Sequence, residues 1–343
     1  MIKIGSFSGL LLFLILYLGD FSIGGIYLLP VVALFSTLFV LYFPATLIIF
    51  TKNDLILFGF ITLFTCLDLT LILFRDSYFS DRAVVNISLL LAFPFLKFLF
   101  SVDWRTRWYV PIAAFLLVGA LISDGRGFIF GPNVLYRVIL FLSFCSGLRF
   151  VYFLGTLLVP VATLSRGAFV TSFIVFLQYF QRKNAIFILI FSIVLLFLLS
   201  FLTATLVDGV QLPRYLSLYD YGGSTSILDR QSVAASLLDS QVLIFGMTDS
   251  LRESQYGFIV YPHNSIIELI WAYGIFGVFF FTYLVFCFFR INSHFAKVLF
   301  LILFIPTLFS GGYIDNMVAV FFSCMLVNYN AATNNSNSFF ASR

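Results

Sequence analysis

Only two histidines occur in this sequence of 343 residues, His263 and His294, and His263 stands where chemistry could be done. It lies in Tyr261-Pro262-His263-Asn264-Ser265-Ile266-Ile267-Glu268, where the longest polar stretch of the chain ends and an apolar run begins. Pro262 favours the first turn of a helix, because its missing N–H would have no partner there in any case; this predicts a helix mouth at His263 and Asn264. An imidazole titrating near neutral pH at such a mouth can accept or orient a proton. It serves equally well as an interfacial cap on a membrane helix. Asn264 is suited to capping the helix and aiming His263, while Glu268, four residues on, is expected to bond Asn264 along the helix face. Gly274 and Gly277 read as close-packing positions between helices.

The second set of candidates is cationic. Arg166 in Ser165-Arg166-Gly167 opens an apolar run, and Gly167 would let a ligand or a backbone come close. Arg126 and Arg137 flank Gly131-Pro132-Asn133 ahead of another such run, and Arg230 and Arg252 lie in the long polar stretch. A guanidinium is a planar donor fork that fits phosphate oxygens two at a time. An isolated interfacial arginine also snorkels to lipid headgroups, with no chemistry implied. Asp68 lies inside an apolar run, where an ionisable group marks either a functional site or a structural clamp, here with Arg137 as the expected partner.

The elements that must position these residues follow from composition. With 62% hydrophobic, 20% aromatic and 10% charged residues, and a mean hydropathy of +1.08, the chain cannot cover a soluble domain with a polar coat. The expected fold class is an all-α polytopic membrane protein with about twelve transmembrane helices, each needing about 20 apolar residues. Spans are expected near 5–19, 23–43, 55–74, 84–100, 108–123, 132–146, 149–164, 167–181, 184–207, 263–289, 296–310 and 313–328, with Arg149 interrupting the sixth and seventh. This divides the chain into nine helices over 1–207, a loop subdomain over 208–262, three helices over 263–328, and a polar, disordered tail over 329–343. Within the loop, Asp229 to Leu238 has an amphipathic helical pattern. Lys3 ahead of Leu10 to Leu18 resembles a signal peptide, but no small-residue cleavage site precedes Asp20, so the segment reads as a retained span.

Charge sets the orientation. With the termini cytoplasmic, the inner connections collect Lys3, Lys52, Lys97, Arg105, Arg107, Arg149, Arg182, Lys183, Arg290, Lys297 and Arg343 against Asp54 and Asp103, as the positive-inside rule requires. The long polar loop between the ninth and tenth spans then faces the periplasm. Basic residues scattered singly between spans act as topology determinants and leave no nucleic-acid footprint. Cys66, Cys145, Cys287 and Cys324 fall in apolar runs without ligand spacing, so neither a disulfide framework nor a metal site is expected.

Taken together, Ser165-Arg166-Gly167 opening a span, Arg230 followed by a helix-like run to Leu243-Ile244-Phe245-Gly246, and His263-Asn264 with Glu268, Gly274 and Gly277 resemble the O-antigen ligase/polymerase superfamily of bacterial envelope glycosyltransferases. Gly131-Pro132-Asn133 is a further matching feature, and the resemblance covers roughly residues 125 to 280. It implies an inner-membrane enzyme whose donor is an oligosaccharide linked through diphosphate to undecaprenol. An acceptor hydroxyl attacks the anomeric carbon and the lipid diphosphate leaves, without metal or cofactor. The resemblance implies His263 as the catalytic base. It implies Arg166 and Arg230 as the diphosphate clamp, with Arg126 and Arg252 as further cations, and Asn264 and Glu268 in support. The partners implied are the lipid-linked oligosaccharide, membrane lipids and a regulator of chain length.

The short chain, compact loop and Phe-rich spans resemble polymerases, which join lipid-linked repeat units, more than ligases, which pass finished glycan to lipid A core. A flippase for the same lipid-linked sugar is the alternative from another class. It would need polar residues along an internal path and paired repeats. Here the charges gather at one face beside one large loop.

Overall fold

The computed structural model describes residues 4–18, 22–23, 26–42, 50–75, 81–123, 131–163, 165–180, 240–246, 264–309 and 313–329. These are helical apart from two short antiparallel strands, Ser22–Ile23 and Ile26–Tyr27, paired Ser22 to Tyr27 and Ile23 to Ile26. The hairpin occupies the start of the expected 23–43 span, and the helix begins only at Leu28.

The helices are α1 Ile4–Tyr17, α2 Leu28–Leu41, α3 Lys52–Arg75, α4 Asp81–Phe98, α5 Tyr109–Ile122, α6 Pro132–Cys145, α7 Arg149–Thr163, α8 Arg166–Phe180, α9 Ser240–Phe245, α10 Ser265–Tyr273, α11 Ile275–Arg290, α12 His294–Phe304 and α13 Tyr313–Met325. Short 3-10 turns extend α4, α12 and α13. Among the described residues, two helices could cross a membrane by length and composition, Lys52–Thr70 and Arg82–Ser101; the other apolar helices there have 10–17 residues each.

The chain divides into two units. The first comprises Met1–Arg105, Asp229–Phe300 and Gly311–Arg343, and the second Thr106–Leu228 with Leu301–Ser310. In the first, α4 is the hub, packed by α2, α3 and α13. Its interior Pro94 cannot donate to the helix ladder. One turn away, the Thr37 hydroxyl of α2 donates to the Leu91 carbonyl, tying the two helices where the ladder is weakest. At one end of this unit Asp54 is closed in on all sides. Lys97 Nζ lies 2.7 Å from it, the Thr51 N–H and hydroxyl donate at 2.6 and 2.8 Å, and Asn328 donates at 2.9 Å. Those contacts gather the start of α3 and the ends of α4 and α13.

In the second unit α6 is central, with every residue from Leu135 to Ser146 buried. α5, α7 and α8 pack around it. A Cβ at Gly155 of α7 would come within 2.7 Å of the Ser143 hydroxyl, so glycine there permits the close α6–α7 approach. Several helices turn large apolar side chains outward at helical spacing. On α2 these are Val31, Leu34, Phe35 and Leu38, and on α5 Ile112, Phe115, Val118 and Ile122. A stripe of that kind marks a face that meets lipid or another apolar surface.

Candidate functional site

His263, Arg126, Arg230 and Arg252 lie outside the described residues, as does the helical pattern expected over Asp229 to Leu238. The structure places Asn264, next to His263. Asn264 is the N-cap of α10: its extended backbone, φ −145°, lets its side-chain oxygen accept from the N–H groups of Ile266 and Ile267 at 3.0 and 3.3 Å. Two of the amides at that end are thereby satisfied. The helix accordingly begins at Ser265, three residues after Pro262 in sequence.

Glu268 is buried, and its link to Asn264 is through the backbone, its N–H donating to the Asn264 carbonyl at 2.9 Å.

Gly274 does more than allow close packing. It splits the expected 263–289 span into α10 and α11 with φ 55° and ψ −128°, a conformation that L-residues with a Cβ avoid. A Cβ there would also run into the Ile244 carbonyl of α9, while one on Gly246 would sit 2.7 Å from the Ala272 carbonyl. One on Gly277 would strike the Leu269 carbonyl. The glycines therefore lock α9, α10 and the start of α11 together by backbone contact.

Asp68 is 1% exposed and belongs to a buried polar cluster in the first unit. Its Oδ2 accepts from Asn86 Nδ2 at 2.8 Å and from the Tyr273 hydroxyl at 3.0 Å, and Asn86 Nδ2 also lies 2.8 Å from that hydroxyl. Within the first unit an ion pair runs to Arg82, Nε to Oδ1 at 4.0 Å. The Arg82 guanidinium also stands 6.0 Å from the centre of the Tyr273 ring, and Phe64 stacks on that ring at 4.0 Å and 6°. Arg82, Asn86 and Tyr273 were not singled out by sequence reasoning. A signal was present, since Asp68, Arg82 and Asn86 are polar residues within largely apolar runs, and Arg82 and Asn86 are four apart on a single helical face.

In the second unit, Arg166 is the first residue of α8. Ser165 before it donates from Oγ to Asn133 Oδ1 at 3.2 Å, joining the mouths of α6 and α8. The space beside Gly167 is taken by this chain itself: a Cβ there would be 2.7 Å from the Tyr136 hydroxyl and 3.1 Å from Phe309 Cβ. Tyr136 is fully buried, and its hydroxyl has no hydrogen-bond partner among the described residues. Arg137, next in sequence, is also buried and donates from Nη2 to the Pro306 carbonyl at 3.0 Å. That contact holds Arg137 inside the second unit as a structural tie. The first-turn amides of α8 precede the first intrahelical bond, which runs from the Phe169 N–H to the Ser165 carbonyl at 3.1 Å. Backbone donors at a helix start of this kind are suited to an anion, while the Tyr136 hydroxyl is packed against Gly167.

No protein-family model matches the chain, and neither a curated protein nor a solved structure is significantly similar to it.

Proposed function

We propose that this chain is a polytopic inner-membrane glycosyltransferase of about twelve spans that polymerises surface polysaccharide, using an undecaprenyl-diphosphate-linked glycan as donor and a lipid-linked repeat unit as acceptor at the periplasmic face. The observation that carries this reading is the mouth of α8. There Arg166 begins the helix, Ser165 is pinned to Asn133, and the buried Tyr136 hydroxyl beside Gly167 lacks a partner among the described residues. Helix N-termini favour phosphate through free amides and the helix dipole, and an arginine there adds a bidentate fork. Support for a membrane setting comes from the two long apolar helices and the outward apolar stripes.

In the reaction the acceptor hydroxyl oxygen forms a bond to the anomeric carbon as the bond from that carbon to the diphosphate oxygen breaks. His263 takes the hydroxyl proton, and undecaprenyl diphosphate leaves with the electron pair. Arg166 and Arg230, with Arg126 and Arg252, offset the negative charge that grows on the leaving group. General-base help of this kind is typically worth about 10²–10⁴ in rate. Asn264 supports His263 by fixing the helix start directly beside it.

The test is the envelope glycan of a deletion strain. Loss of a polymerase leaves lipid A core carrying single repeat units, because a separate ligase still transfers them. Long chains stranded on the lipid carrier above a bare core would move the assignment to a ligase.

A further inference from the structure

The buried cluster around Asp68 lies far along α10 from the Asn264 cap, yet it grips that helix by its last residue. We infer that Asp68, Arg82 and Asn86 form a positioning device that sets the rotation and depth of α10 through the Tyr273 hydroxyl, and so fixes the cap to which His263 is bonded. The inference rests on the role proposed above for His263.

Three observations point this way. First, α10 has nine residues, a rigid lever of about 13 Å. Tyr273 and the Asn264 cap are its two ends, so a shift at one is delivered to the other. Second, α10 does not run on into α11: Gly274 breaks the helix between them, and the two pack side by side, Gly277 against the Leu269 carbonyl. Its placement must come from its own contacts. Third, those contacts at Tyr273 are directional. The hydroxyl donates to Asp68 at 3.0 Å and lies 2.8 Å from Asn86 Nδ2, while Phe64 at 4.0 Å and 6° fixes the plane of the ring.

A scaffold role alone explains the cluster poorly. Replacing a buried ion pair by well-packed apolar residues is often neutral or stabilising, so packing by itself does not call for a carboxylate and a guanidinium there. What apolar contact cannot supply is a defined angle about the helix axis. Asp68 and Asn86, presented by two different helices, converge on one phenolic oxygen and define that angle.

The experiment compares the full-length parent with Tyr273→Phe, which deletes only the gripped oxygen and keeps the ring stack. Donor turnover is measured in proteoliposomes, and separately the rate at which a thiol-specific, membrane-impermeant reagent modifies His263→Cys with and without Tyr273→Phe. The expected result is a fall in kcat of about ten- to a hundredfold, the scale set by a misplacement of about 1 Å, with KM for the donor unchanged. The thiol rate should change as well. With His263→Ala inactive, parent-like kcat in Tyr273→Phe, or a rise in KM alone, overturns the inference whatever the thiol does. If His263→Ala instead turns over like the parent, the proposed function has failed and the thiol rate decides alone: a change upholds the positioning role and an unchanged rate overturns it.

Discussion

Asp54 and Asp68 are both buried carboxylates on α3, one at its start and one toward its far end, and their surroundings differ in kind. Asp54 meets Lys97 at 2.7 Å and takes three further hydrogen bonds from Thr51 and Asn328. Its partners sit at helix ends, and it works as a closed knot. Asp68 has its cation at 4.0 Å and gives its short contacts to Asn86 and Tyr273. It reaches α10, the helix capped beside His263. A tightly neutralised carboxylate joins elements together, whereas one that shares its hydrogen bonds between Asn86 of α4 and Tyr273 of α10 orients one helix against the other.

The comparison is open to attack from both sides. The largest loss of stability is expected for Lys97→Ala, which leaves the Asp54 carboxylate buried without its cation; removal of one partner typically costs about 3–5 kcal/mol. Thermal unfolding of the purified protein in detergent should register it, while transfer per folded molecule stays near that of the parent. Tyr273→Phe removes one hydrogen bond to a carboxylate, worth about 1.5–3 kcal/mol, so its unfolding shift should be smaller although its activity falls further. A Lys97→Ala protein that folds normally but fails to turn over would reverse the assignments of the two carboxylates. Thr37→Val provides the scale for a neutral contact to the same hub helix. It deletes the hydroxyl that reaches the Leu91 carbonyl and should cost about 0.5–1.5 kcal/mol, with no change in turnover.

Much of the helical layout was legible in the sequence, because an apolar run bounded by charge or glycine has few other ways to satisfy its backbone. The expected 132–146 and 149–164 spans correspond to Pro132–Cys145 and Arg149–Thr163, with Arg149 starting the second of them. The break at Gly274 was not legible as a break, since hydropathy continues across it and only the backbone angle changes. The hairpin at 22–27 was hidden for a similar reason: its isoleucines suit a strand and an apolar helix alike. Of the candidate site, the capping role of Asn264 followed from residue type and place. The contacts of Asp68 with Arg82, Asn86 and Tyr273 did not, because finding them requires knowing which helices pack together. Tyr136 carried no signal, since a tyrosine within an apolar helix is ordinary until its hydroxyl is found buried against Gly167.

The most direct measurement is reconstitution of the purified chain in liposomes with an undecaprenyl-diphosphate-linked repeat unit as sole sugar source, following both glycan length and released undecaprenyl diphosphate. The account predicts glycan chains of more than one repeat, one lipid diphosphate freed per bond formed, and loss of both in His263→Ala and in Arg166→Lys, where a point charge replaces the bidentate fork. A donor that crosses the bilayer with its sugar–diphosphate bond intact, and no longer glycan in any reaction, would contradict it and identify a transporter instead.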